Sequence, residues 1–462
     1  MLALAIFAMR LVGDFQGTVF ISGDDIWFQP IVQNMAGDRG LAHPFLSPID
    51  GNLDGSLIWH GWLMPLVTGK LQGFLMPGGG VEHAKLAGNL IAASVFGAFT
   101  LFFKLRFGNG KALLVIPVFL GLFQYQVGRP EIVASVALLL FLIGIDTKIL
   151  ARRVFIIPFS VAIAAVSSPV LGVYLLLFGV FVLFSSSLEH STRWKIVALQ
   201  VVAIPALILL FTTAFTDLGF WRWVSGIFEH SRFISGRRDG LLAHYYLINF
   251  RLPLFVLFVF LCVIWLAQAV LYNKNIIAQS SLLVLAVLVF YTSLRVPPLV
   301  YNIAWLVPLI LYFIFSGLNG RADPLLRTKS GLVAVFSAGY VLSTLFFAYL
   351  TAINIIQGQP AGMVRGAIFS LPADATIYID KYNWSAQALF DPQDMARFVD
   401  APQAADYILE FQAVRGGARP VVGADKCLVM SNFHDSPMNV IGLDIWYSRR
   451  DWAFAILKNQ NC

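Results

Sequence analysis

Long apolar runs separated by short polar connections fill the sequence from residue 83 to residue 353. About 20 apolar residues cross the hydrocarbon core of a bilayer as one helix. The short apolar stretch from Met1 to Val12 is counted as a further span, because it lacks the cleavage site of a secretory signal peptide. Either it spans the membrane obliquely, or the true start of the chain lies upstream of Met1. The pattern predicts an all-α polytopic membrane protein with about 11 transmembrane helices. The ten longer spans are His83 to Phe103, Ala112 to Val127, Ile132 to Leu150, Val154 to Val166, Val170 to Leu188, Ile196 to Phe215, Leu252 to Tyr272, Ile276 to Leu294, Leu299 to Leu318 and Leu332 to Ile353.

Two connections are long enough to hold structure of their own, residues 13–82 and residues 216–251. The first is polar and rich in Gly and Pro, but the pieces Ile26 to Met35 and Leu57 to Leu75 are amphipathic. We expect both pieces to lie along the membrane interface. The aromatic anchors expected at headgroup depth are Trp27, Trp59 and Trp62.

The character of the chain changes after the last predicted span. From Gln357 onward Pro and Gly punctuate ordinary polar sequence, and Ala375 to Ile379 and Ala405 to Phe411 alternate as strands do. The sequence therefore predicts a transmembrane domain over residues 1–356 and a small extracytoplasmic α/β domain over residues 357–462. This C-terminal domain contains no nucleophile elbow, P-loop or metal-binding motif.

Composition supports the membrane assignment and excludes a water-soluble fold. Hydrophobic residues make up 58% of the chain and charged residues only 12%, with a mean hydropathy of +0.76. The formal net charge of +7 is explained by cytoplasmic loops and by the phosphates of a lipid, and no basic tail indicates nucleic-acid binding. The cysteines Cys262, Cys427 and Cys462 exclude a disulfide framework but leave open one bridge between Cys427 and Cys462 in an oxidising compartment.

The distribution of Lys and Arg sets the orientation. Basic residues occupy alternate connections, which are assigned to the cytoplasm by the positive-inside rule. The N-terminus is then cytoplasmic and the C-terminal domain periplasmic, which predicts a multi-pass protein of a bacterial inner (plasma) membrane. The connection at residues 216–251 lies on the outer side although it is basic, so it is interpreted as a binding surface. The basic residues behind the assignment include Lys104, Arg106, Lys148, Arg152, Arg153, Arg193, Lys195, Lys274, Arg321 and Arg327.

An acidic pair, Asp24 and Asp25, stands in the run S-G-D-D-I-W-F-Q at the start of the first outer connection. A carboxylate at the edge of a span has to face water or a partner, so the pair indicates a functional cavity. A base of this kind can take a proton from an acceptor hydroxyl as the hydroxyl attacks a sugar. Paired acids also occur as cation sites and as helix caps, and those alternatives remain open.

Basic side chains on the same outer side supply what a phosphate leaving group needs, because the guanidinium fork matches phosphate oxygens. Arg129 and Glu131 share a tight turn, for which an internal salt bridge is an equal alternative. The run from Arg237 to Gly240 has a solvated turn as its alternative. The candidates for holding the donor phosphate are Arg129, Arg232, Arg237 and Arg238, with His60, Glu131 and His230 as further site candidates.

These motifs resemble those of the GT-C superfamily, the integral-membrane glycosyltransferases that use polyprenyl-phosphate sugars, including protein O-mannosyltransferases and aminoarabinose transferases. In those families an acidic pair followed by an aromatic residue opens the first outer loop. Asp25 stands where Glu is usual, and the compact His-Pro-Pro form and the W-W-D-x-G signature are missing. The matching segments are Asp24-Asp25-Ile26-Trp27-Phe28, Trp59-His60-Gly61-Trp62-Leu63-Met64-Pro65 and Gly69-Lys70-Leu71.

The resemblance implies a GT-C-like fold and an inverting glycosyltransferase with Asp24 as general base and Asp25 as its partner acid. The implied partners are a polyprenyl-phosphate sugar donor, membrane lipids and a glycan, lipid or protein acceptor. No cofactor is implied with certainty, although the two acids could bind a divalent cation. A transporter or lipid flippase and a non-catalytic membrane assembly factor are the alternative functions.

Overall fold

The computed structural model describes the helical and strand segments of the chain together with their adjoining turns. The described residues are 25–38, 40–41, 61–77, 81–110, 112, 115, 129–147, 149–217, 219–236, 275–295, 299–316, 366–379, 397–399, 402–414, 427–434 and 451–458.

Ten helices of twelve or more residues precede the C-terminal strands in this part of the chain. Proline begins two of them, Pro130 and Pro169, where its missing N–H costs no hydrogen bond and its fixed φ suits the first helical turn. The helices are α1 (Asp25–Ala36), α2 (Leu63–Leu75), α3 (Val81–Phe107), α4 (Pro130–Asp146), α5 (Leu150–Ser167), α6 (Pro169–Ser185), α7 (His190–Phe215), α8 (Phe220–Gly236), α9 (Ile276–Arg295) and α10 (Leu299–Ser316).

Seven of the predicted spans coincide with helices α3 to α7, α9 and α10. Three of the described helices are long and apolar enough to cross a membrane, over Leu86–Phe107, Leu150–Ser167 and His190–Phe215, while Pro169–Ser185 and Ile276–Leu288 are shorter apolar segments. Four predicted spans lie outside or almost outside the described residues, so the total of about eleven stays a prediction. These four are Met1 to Val12, Ala112 to Val127, Leu252 to Tyr272 and Leu332 to Ile353.

One predicted boundary is wrong. The span expected to run from Ile132 to Leu150 ends at Asp146, because Thr147 takes an extended conformation and α5 begins at Leu150. Arg153 stabilises this break, since its Nη2 donates to the carbonyl oxygens of Ile145 at 2.9 Å and Thr147 at 3.1 Å. A cationic side chain on the last carbonyls of a helix also suits the helix dipole.

Helices α4 to α7 form a sequential antiparallel set in which α5 packs against α4, α6 and α7, and α9 packs against α6. Its core is apolar, with Phe141, Phe178 and Tyr174 almost fully buried. At the end where α4 terminates, Asp146 accepts hydrogen bonds from Arg106 of α3 and from the Tyr312 hydroxyl of α10. This charged contact ties three helices together at the basic end of the set.

The C-terminal part contains a five-stranded sheet in the order β2-β1-β3-β5-β4. Its strands are β1 (Ile377–Ile379), β2 (Phe398–Val399), β3 (Tyr407–Val414), β4 (Cys427–His434) and β5 (Asp451–Lys458). Strand β1 pairs in parallel with β2 and β3, and β5 pairs antiparallel with β3 and β4. The strands expected from Ala375 and Ala405 are thus confirmed as β1 and β3.

Asp406 fixes the approach to β3. Its carboxylate accepts hydrogen bonds from the backbone N–H and the hydroxyl of Thr376, each at 2.8 Å. These donors favour the charged carboxylate and lower the pKa of Asp406 below its ordinary value. Asp406 therefore acts as a turn-stabilising residue that joins β1 to β3.

The chain divides into two compact units. The first holds residues 1–4, 46–66 and 89–346, and the second holds residues 5–45, 67–88 and 347–462. Helices α4 to α10 belong to the first unit, whereas α1 and the C-terminal sheet belong to the second.

Candidate functional site

The acidic pair stands at the beginning of α1. Asp25 is the first residue of this helix, and Asp24, which precedes it, lies outside the described residues. The N-terminal end of a helix carries a partial positive charge that stabilises a carboxylate. The position suits a carboxylate that has to stay ionised at neutral pH, and it equally suits a helix cap.

Two glycines hold α1 closely against α2. A Cβ atom at Gly69 would lie 2.6 Å from the carbonyl oxygen of Val32 and would overlap Met35, and a Cβ atom at Gly73 would lie 2.9 Å from the carbonyl oxygen of Ala36. Both glycines face α1 because they are four residues apart on one helix face. Because Gly69 and Gly73 have no side chains, α1, the helix at the acidic pair, can pack closely against α2.

The segment before α2 docks onto the turn between α5 and α6. Gly61 has a φ of +89°, and a Cβ atom there would lie 2.6 Å from the carbonyl oxygen of Val166 and would overlap that of Ser167. Trp62 follows with only 2% of its surface exposed. The ring of Trp62 therefore packs inside the protein and is not exposed to lipid, whereas its expected depth in the membrane stays a prediction.

Arg129 and Glu131 form an ion pair at the start of α4. Arg129 Nε donates to Glu131 Oε2 at 3.0 Å and Nη2 donates to Oε1 at 3.1 Å. The two residues are only 6% and 7% exposed, so burial makes the pairing necessary. The salt-bridge alternative for this turn is thus confirmed, and the charge of Arg129 is balanced within the turn.

The basic connection at residues 216–251 contains a helix, α8, that its sequence pattern did not predict. Helix α8 buries Trp223, which is 4% exposed, while Trp221 and Phe228 are 78% and 64% exposed. Trp221 and Phe228 are seven residues apart and therefore share one face. The spacing of these aromatic residues could have predicted the helix. An exposed aromatic face of this kind is typical of a helix that lies in the membrane interface.

The remaining site candidates are placed only in part. His230 and Arg232 lie within α8, and their side chains are not described, whereas His60, Arg237 and Arg238 lie outside the described residues. The described residues therefore bring together Arg129 and Glu131 and leave the assembly of the others as a prediction. No group of three potential metal ligands occurs among the described residues, and Asp24 is not among them.

Comparison with known proteins was made at the level of sequence and of structure. No family model and no curated protein matches the sequence. The crystal structure of ArnT from Cupriavidus metallidurans in the apo state matches with a TM-score of 0.56, covering 99% of this chain and 97% of that chain. The chain has the fold of ArnT.

The ArnT-like fold agrees with the fold expected from the resemblance, an all-helical membrane domain followed by a C-terminal domain. The agreement extends over nearly the whole of both chains, so it includes the C-terminal part as well as the helices. Sequence identity is only 14%, which is why the match is one of fold.

Proposed function

We propose that this protein is an integral-membrane glycosyltransferase of the GT-C type. It transfers a sugar from a polyprenyl-phosphate donor to an acceptor hydroxyl on the extracytoplasmic face of the membrane. The observation that carries the proposal is the ArnT-like fold over 99% of the chain, combined with an acidic pair where α1 begins. The acceptor is a glycan, a lipid or a protein.

Asp24 acts as the general base in this reaction. It takes the proton of the acceptor hydroxyl as that oxygen attacks the anomeric carbon, and the bond from this carbon to the phosphate oxygen breaks. The configuration inverts because attack and departure occur on opposite faces of the sugar. Asp25 is the partner acid, and the leaving group is the polyprenyl phosphate.

Arginine side chains of the second outer connection neutralise the departing phosphate. Arg232, Arg237 and Arg238 are the best candidates for this role, because the guanidinium group binds phosphate oxygens in a bidentate manner. Arg129 ranks below them, since its ε and η2 nitrogens already donate to Glu131. Helix α8, which carries Arg232, would bring the donor phosphate to the depth of the interface.

The chemistry of Cys427 supports an extracytoplasmic position for the C-terminal domain. Cys427 is disulfide-bonded, and structural disulfides persist in oxidising compartments such as the periplasm. With the N-terminus in the cytoplasm, the acidic pair and α8 then lie on the same side as this domain.

Substitution of Asp24 separates a base from a helix cap. Asn caps a helix about as well as Asp, whereas Ala does not. We expect Asp24→Asn to lower sugar transfer at least about 100-fold in isolated membranes while leaving the melting temperature unchanged. Asp24→Ala should lower both sugar transfer and the melting temperature. Asp38→Asn is the matched control from the same outer connection, because Asp38 is an exposed residue paired with Lys70, and it should transfer sugar normally.

Parent-rate transfer by Asp24→Asn would contradict the assignment of the base. A chelator arm in the same assay tests the divalent cation, since loss of transfer with EDTA and recovery with Mg²⁺ would make the acidic pair a metal site instead. Movement of the lipid donor without transfer would favour the flippase alternative.

A further inference from the structure

Helix α7 marks both edges of the membrane along its length. Trp194, near the beginning of the helix, is 48% exposed, and exposed tryptophans are typical of headgroup depth. The helix rises about 30 Å from Trp194 to its last residue, Phe215, which is the thickness of the hydrocarbon core. Phe215 is 60% exposed and therefore marks the opposite edge of the hydrocarbon.

A lipid-facing stripe runs along α7 up to this edge. Exposed residues recur in adjacent pairs every three or four positions, which is the spacing of one helix face. No charged residue occurs from Ile196 to Thr216, so this face suits hydrocarbon up to the last turn of the helix. The pairs are Ala198 and Leu199, Val201 and Val202, Pro205 and Ala206, Leu209 and Leu210, and Thr213 and Ala214.

Helix α8 begins beside the edge that Phe215 marks. Only residues 216–219 connect the two helices, so Phe220 lies at most about 18 Å from Phe215. The Thr216 hydroxyl donates to a carbonyl oxygen of α7 at 2.6 Å, and the carbonyl oxygen of Gly219 accepts from the N–H of Trp223 at 3.0 Å. Hydrogen bonds therefore fix both ends of this short connection, and α8 packs against α7.

The two faces of α8 differ in what covers them. Trp223 and Gly226 are buried on the face toward the protein. Trp221, Ser225 and Phe228 are exposed and share the opposite face, because they are spaced four and three residues apart. A helix face in water carries mainly polar residues, whereas this face presents aromatic rings that are 78% and 64% exposed. The exposed face of α8 is therefore suited to lipid.

We propose that α8 binds the surface of the membrane leaflet at the Phe215 end of α7. Trp221 and Phe228 insert at the boundary between headgroups and acyl chains, and Arg222, which is exposed beside them, contacts lipid phosphates. Lipid is the occupant because the lipid-facing stripe of α7 ends where α8 begins. This contact does not require that the protein transfers sugar.

A spin label measures how deep α8 lies in vesicles of phosphatidylcholine that contain the full-length protein. Ser225→Cys places the label on the exposed aromatic face, in a Cys262→Ser background whose own labelling gives the residual signal to subtract. The access of O₂, which dissolves in hydrocarbon, is compared with the access of a water-soluble nickel complex. We expect the label about 5 to 10 Å below the phosphates. Labels at the exposed positions Leu210 and Gln403 give the references for hydrocarbon and for water.

Removal of the two aromatic rings should release the helix from the lipid. In the labelled protein, the double variant Trp221→Ser/Phe228→Ser should move the label outward by about 5 to 10 Å, into water. Phe369→Ser is the matched control, because it removes a ring that is 50% exposed in the C-terminal part, and it should leave the depth unchanged. A label at Leu210 in the double variant should keep its depth, since α7 still spans the membrane.

Three results would overturn the proposal. In the first, the label at position 225 of the parent is as accessible to the nickel complex as the label at position 403, which places α8 in water. In the second, both reagents are excluded, which means that protein covers the face, and dipolar broadening between labels would identify a second copy of this chain. In the third, the double variant keeps the parent depth, which contradicts insertion of the two rings. Each result is read from the label alone, whatever the outcome of the sugar-transfer assay.

Discussion

A single buried ion pair joins Arg129 and Glu131 in the turn at the start of α4. Arg129 and Glu131 are both more than nine-tenths buried, and each neutralises a charge that the other could not carry alone. The sequence Arg-Pro-Glu gave equal weight to a salt bridge and to a role in phosphate binding. The geometry favours the salt bridge. Variants of the pair can measure whether Arg129 also binds the donor phosphate.

Breaking this pair on one side should be far more damaging than removing both charges. We expect Glu131→Gln to lower the free energy of unfolding by about 3 kcal/mol, because Arg129 is left charged and buried without its partner carboxylate. The double variant Arg129→Met/Glu131→Leu should recover most of this loss. Thermal unfolding in detergent measures the stability of the parent and both variants.

Sugar transfer by the double variant then separates structure from function. If the double variant is stable and transfers sugar at the parent rate, the role of Arg129 is structural only. If it is stable but needs far more donor for the same rate, Arg129 contacts the donor phosphate. Equal stability of Glu131→Gln and the parent would contradict the buried ion pair as an important contact.

At the scale of elements, the glycine face of α2 holds α1 in place. Gly69→Ala should destabilise the protein by about 1 to 3 kcal/mol, because the added methyl group overlaps backbone and side chain of α1. Sugar transfer should fall as well, since the acidic pair begins α1. Thermal unfolding and the membrane transfer assay give the two readouts.

Gly97→Ala is the control for this substitution. It lies within α3, where an added Cβ atom meets nothing within 4 Å, so the better helix propensity of Ala should leave stability equal or slightly higher. A Gly69→Ala variant as stable and active as Gly97→Ala would contradict the proposed role of the close helix contact.

The elements that the sequence predicted well are those with a strong local signal. Apolar runs bounded by prolines and basic residues located the ends of α4 to α7 to within six residues. Burial in lipid demands a helix, because its backbone hydrogen bonds are all internal. Helix α8 was missed because its polar and aromatic residues alternate between two faces without a long apolar run. The close contact of Gly61 with the turn at Ser167 could not be predicted either, because the two residues are about a hundred positions apart in the chain.

At the scale of the molecule, the cysteines report the sidedness of the membrane. Cys427 opposes Lys458 in the antiparallel pair of β4 and β5, and Cys462 follows four residues after Lys458. We infer that Cys462 is the partner of the disulfide at Cys427. The pairing would fasten the C-terminal residues to the sheet.

Thiol counting tests this pairing, because the chain has 3 cysteines. The denatured protein should take up one maleimide before reduction, at Cys262, and three after reduction. The control Cys262→Ser should take up none before reduction and two after. Mass spectrometry of the labelled protein gives the number, and three labels without reduction would contradict both the bridge and the oxidising location of this domain.

The contact of Gly61 with the turn at Ser167 also constrains the order of biosynthesis. The ribosome adds about 5 to 20 residues each second, so Gly61 joins the chain roughly 5 to 20 s before Ser167 does. The segment at Gly61 therefore cannot complete its packing until the turn between α5 and α6 has formed. During that interval the backbone at Gly61 lacks the turn against which it packs in the folded protein.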